Sequence, residues 1–180
     1  AQSASLISII DQIGNIKFGI FKDPLNPNSL EIWLNNERRE PLRLALDPDL
    51  NKNDTFHHIA ITSGENIFIY INGERVKIIL GENIDIASND IVFGGKVNQE
   101  FSVMGNFWVG NFDEIRFWST TLSNSHIEFH VKNASKIAEN FNDEYVSNLE
   151  GLWRFQFSEG DSSPIIKDES CGILTQIYTI

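Results

Sequence analysis

Apolar and polar residues alternate with period two along most of this chain, and turn residues cut the alternation at short intervals. The clearest stretch is 56–79, FHHIAITSGENIFIYINGERVKII, which divides into strand-like runs at 56–62, 67–71 and 74–79. Gly64-Glu65-Asn66 separates the first two runs, and Asn72-Gly73 separates the last two. An Asn-Gly pair between alternating runs marks a tight hairpin, because both residues tolerate the positive φ of a type I′ turn. A β-meander is predicted here. Before it lie short runs at 5–10, 16–21, 29–34 and 41–46, punctuated by Asp23-Pro24, Asn26-Pro27-Asn28, Asn35-Asn36 and Asp47-Pro48-Asp49. After it, 90–93 ends at Gly94-Gly95, and 101–109 leads into 111–118.

One segment departs from this period. Ser123 reads as an N-cap opening a short helix over 124–132, with a second helical stretch over 134–140. Strand character returns at 152–157 and again at 173–180. Ten or more short strands at this spacing predict an all-β, two-sheet antiparallel sandwich with one short helix. Neither a repeat nor a linker interrupts it, so residues 1–180 are expected to form a single domain.

Charge narrows the partners. The 180 residues carry 14 Lys plus Arg against 25 Asp plus Glu, a net charge of −11. Nucleic acid and anionic membranes attract the opposite balance, so neither is expected as a partner. No apolar run approaches the ~18 residues that would span a bilayer. Over 139–169 the acidic residues greatly outnumber Arg154 and Lys167, which reads either as a solvated flank or as a cation-binding edge. The single cysteine, Cys171, excludes an intrachain disulfide and a thiolate zinc cluster. The chain begins at Ala1 without a basic or long apolar leader, as expected of an excised domain or one whose targeting segment has been removed.

Candidate site residues are few. Adjacent His57 and His58 point to opposite strand faces, one toward the core and one toward solvent, and cannot share a metal. His126 and His130 lie four apart on one helix face, a spacing that suits a metal, but no third ligand is evident and a solvated face is the expected reading. Trp33 falls opposite Leu30, Ile32 and Leu34, on the face of Glu31 and Asn35, and Trp108 alternates with Phe107 and Val109. Tryptophans on a sheet's polar face suit sugar stacking or a protein contact, so Trp33 and Trp108 are the expected ligand-binding residues.

Three blocks together resemble the laminin-G-like, concanavalin-A-like jelly rolls. Phe56 to Ile71, followed by Asn72-Gly73-Glu74, resembles their histidine-pair hairpin. GNFDEIRFW at 110–118, with Thr121-Leu122-Ser123 and Ile127, resembles their Asp-Glu strand and the helix after it. GLWRF at 151–155, with Glu159-Gly160 and Asp168-Glu169-Ser170, looks like the opening of such a domain, yet it follows the hairpin here. That order suggests a permuted chain or one cut across neighbouring repeats. The resemblance implies a jelly roll in which Trp118 and Trp153 are structural. It also implies a structural calcium ion near Asp113 and Asp168, with Asp113 turned inward in phase with Ile115 and Phe117. Glucanases of this fold carry alternating carboxylates on one strand, and no Glu-x-Asp-x-Glu run occurs here. The expected function is therefore a non-catalytic extracellular or cell-surface module that recognises a glycan or a protein surface. The alternatives are a self-associating domain of an adhesin or fibre and, third, a glycoside hydrolase.

Overall fold

A computed structural model describes residues 4–26, 29–34, 42–45, 56–84, 90–95, Trp108, 111–140 and 143–154, and the backbone of 165–167 and 176–178. Five strands form the larger sheet: β1 (Ser5–Ile10), β2 (Ile16–Lys22), β3 (Ser29–Leu34), β4 (Leu42–Ala45) and β8 (Asp90–Phe93), in the order β4-β3-β2-β1-β8. Every pairing in it is antiparallel. The meander β5 (Ile59–Ser63), β6 (Asn66–Ile71) and β7 (Glu74–Leu80) forms a three-stranded sheet. β9 (Ile115–Trp118) pairs with β10 (Leu149–Trp153), and β11 (Ile165–Lys167) pairs with β12 (Gln176–Tyr178). A helix, α1 (Asn124–Lys132), follows β9, and a 3-10 turn spans Glu144–Asn148.

Period-two alternation produces the sandwich. Ile9, Phe18, Ile20, Leu30, Ile32 and Leu44 come from one face of the larger sheet and meet Ile67, Ile69 and Ile71 from the meander in one core. Ile67 and Ile69 are wholly inaccessible and Phe18 nearly so. The hairpin forms as its sequence predicts: Asn72 has φ 51° and Gly73 φ 86°, the left-handed pair that Asn-Gly accommodates.

Helix α1 starts where Ser123 caps it, the Ser123 Oγ accepting from the His126 amide at 3.3 Å. Asn133 ends it, donating from its side-chain amide to the Phe129 carbonyl at 3.0 Å. The expected second helix at 134–140 is replaced by turns. Its carbonyls are claimed by side chains instead: Ala134 O by Arg116, Ser135 O by Arg154, and Ile137 O by both His130 and Tyr145. The strand expected at 101–109 lies outside the described residues except at Trp108, and the closing strand is described only over Gln176–Tyr178.

Candidate functional site

The face of the larger sheet opposite the core cluster holds the first candidate residue. Strand register sets Trp33 directly across from Gly19, which in turn faces Ser8, while Glu31 lies across from both Phe21 and Arg43. Gly19 leaves room that its neighbour uses: a Cβ there would lie 2.4 Å from the Phe21 ring. The Phe21 ring therefore lies over the glycine and meets Trp33 edge-on, with centroids 6.3 Å apart and planes at 77°. Trp33 itself is half-buried.

Arg43 completes the surface. Its side chain is 57% exposed, yet its guanidinium is held by Asp23 at 3.2 Å and Glu31 at 3.5 Å, whose side chains are 2% and 7% exposed. Asp23 also accepts from Ser29 Oγ at 2.7 Å and from the Leu25 and Asn26 amides. Those donors, the Ser29 hydroxyl first, hold its carboxyl below the usual range. A half-exposed indole on the same sheet face as a pinned guanidinium offers an apolar ring surface for stacking and separate hydrogen-bond donors. Gly19→Val should push Phe21 and Trp33 out of this arrangement, lowering stability by about 1–3 kcal/mol and weakening ligand binding, as unfolding and titration together would show.

Trp108 stands elsewhere. It is half-buried and packs against the core cluster, and its amide donates to the Gly94 carbonyl at 2.9 Å. The expected solvent-facing tryptophan is therefore corrected: alternation with Phe107 and Val109 could not reveal which neighbours cover it. Of the two tryptophans, Trp33 is the one outside the core cluster.

A sequence model of the laminin-G type, described as the concanavalin A-like lectin/glucanases superfamily, matches residues 1–128, well over half the chain. The chain belongs to this family. Comparison with curated proteins gives no match. The family description names both lectins and glucanases, so the fold leaves the choice between binding and hydrolysis to the site. The matched span contains Trp33, Arg43 and the whole larger sheet, and ends within α1.

Other expectations drawn from the laminin-G resemblance fare differently. Asp113 is exposed, and its Oδ1 accepts from the next amide, Glu114 N, at 2.9 Å. It does not point inward, because β9 begins only at Ile115 and Glu114 has φ 52°, which breaks the phase. Asp168 lies outside the described residues. Among the described residues, no group of three or more His, Cys, Asp or Glu side chains could hold a metal ion. The calcium expectation rests on Asp168 as much as on Asp113, and no step is derived through the ion. No helix among the described residues is long and apolar enough to cross a membrane.

The Asp-Glu block carries an ion lattice that the sequence did not disclose. Glu114 bridges two guanidiniums, Arg116 at 2.8 Å and Arg154 at 2.5 Å. His126 and His130, expected on a solvated helix face, are packed instead. His126 stacks on Tyr145 with centroids 3.9 Å apart, and His130 stacks on Trp118 at 5.6 Å. Tyr145 comes from the 3-10 turn, an element without a periodic signature, so the packing could not be read from helix spacing. His57 and His58 precede β5 and are both half-buried: His57 approaches the side-chain amide of the exposed Asn72, and the His58 Nδ1 is buried.

Proposed function

We propose that this domain is a non-catalytic recognition module that binds a glycan through the Trp33 face, outside the cell or at its surface. The supporting observation is the half-exposed indole against Phe21, whose ring lies over Gly19, with Arg43 held on the same sheet face across from Glu31. A pyranose presents an apolar face to the indole and hydroxyls to the guanidinium and sheet edge. The two carboxylates nearest Arg43, Asp23 and Glu31, are both engaged with its guanidinium. A protein surface could use the same indole as a contact, and competition by free sugar distinguishes the two. Trp33→Ala should weaken binding on a glycan array and in calorimetry by about 1–3 kcal/mol, roughly ten- to hundredfold. Thermal unfolding should barely move, because Trp33 stands outside the core. Release of reducing sugar from the bound glycan would instead establish a hydrolase.

A further inference from the structure

His126 and His130 of α1 pack against Tyr145 of the Glu144–Asn148 turn and Trp118 of β9. His130 is 4% exposed, and its Nε2 lies 2.8 Å from the Ile137 carbonyl. A carbonyl only accepts, so Nε2 carries a proton. The Tyr145 hydroxyl donates to the same carbonyl at 3.0 Å, and its ring lies 5.3 Å from Trp118. Arg116 rises from β9 with its side chain 8% exposed. The His58 Nδ1, His126 Nδ1 and Arg116 Nε are buried without a hydrogen-bond partner among the described residues.

We propose that this face is an acid-released clasp, holding α1 and the 3-10 turn against β9 while its imidazoles are neutral and releasing them when protons collect beside Arg116. The charged and titratable groups come from every element that packs here. β9 supplies Arg116, the lead into β5 supplies His58, and α1 supplies His126 and His130. Tyr145 and Asp143 come from the turn, and Glu139 from the loop before it. Asp143 and Glu139 push up the Tyr145 hydroxyl, together with burial, which is the largest cause. Glu114, the carboxylate ion-paired with Arg116, is shared with Arg154 and leaves the guanidinium's charge only partly answered.

The direction of the switch follows from burial and charge. Burial first, then Arg116, His58 and His126, hold His130 down to about 4, against the raising effect of its bond to Ile137. Burial and Arg116 also lower His58. Groups whose folded values are depressed contribute stability that is whole above the unfolded value of 6.5 and drains as pH falls from there toward about 4. The carboxylates act later: Asp11, held at about 2 chiefly by the Asn15 amide, and Asp23 keep their contribution until the pH falls below 3.8. The two windows therefore separate.

Hydrogen exchange on the intact chain at pH 7.5 and 5.0, expressed as protection factors, tests the clasp. Protection of α1 and the 3-10 turn should fall at least tenfold more than that of β2 and β3, which contain no histidine. His130→Gln, which retains a donor for Ile137, should reduce that loss, and His58→Gln should do so independently from a different element. A His130 ring that titrates near 6.5 by NMR overturns the proposal. So does α1 protection that follows the larger sheet across the same pH range.

Discussion

Glu114→Ala is expected to destabilise the domain by about 3–5 kcal/mol, the range for stripping one partner from a buried ion pair. Glu114 and Arg116 are 12% and 8% exposed, so water screens them little. The carboxylate joins Arg116 of β9 to Arg154, just beyond β10. Those same guanidiniums hold the Ala134 and Ser135 carbonyls after α1. One carboxylate therefore fastens two strands and the helix exit, and its loss leaves two guanidiniums facing each other. Backbone and charge effects separate in a second variant. Glu114 has φ 52°, a conformation that costs a non-glycine residue about 1–2 kcal/mol. Glu114→Gly should thus fall short of the alanine loss by roughly that amount, while Glu114→Gln should lie between wild type and alanine. Urea unfolding measures all three. An alanine variant within 1 kcal/mol of wild type would show that solvent already satisfies the arginines.

Local signals account for what the sequence disclosed. Asn72-Gly73 fixed the hairpin because its chemistry is contained in two residues, and Ser123 marked the helix start because a cap acts over three. β5 begins at Ile59 and not at Phe56 because Asn72 engages His58 at both ends. Its side chain accepts the His58 amide, and its own amide donates to the His58 carbonyl. The helical reading of 134–140 failed for a non-local reason: four side chains from distant positions take the carbonyls that a helix would have used. Trp33 was legible because alternation alone assigns a strand face. Its surroundings were not, since Phe21 and Arg43 reach it only through the register of β2 and β4 against β3. Glu31 and Arg43 each stood in phase on an expected strand, which was the available signal. The histidine face was misread because Tyr145, which covers it, belongs to a short turn without periodicity.

Phe18→Ala should cost about 3–5 kcal/mol, a large part of the 5–15 kcal/mol that holds a typical domain together. Phe18 is 1% exposed and stands across from Ile9 on one side and Leu34 on the other. The opposing layer is Ile67, Ile69 and Ile71, β-branched side chains with little freedom to move into a void. The loss is therefore transfer free energy plus an unfilled cavity between two sheets. Phe18 and Gly19 are sequence neighbours on opposite faces, which separates stability from recognition. The Phe18 variant should bind ligand normally once corrected for its folded fraction, because Phe21 and Trp33 lie on the other side of β2 and β3. Trp33→Ala should show the converse, weakened binding in a stable domain. Denaturant unfolding paired with calorimetric titration reads both quantities. A Phe18 variant that loses less than about 1 kcal/mol would mean the two sheets do not pack through this residue.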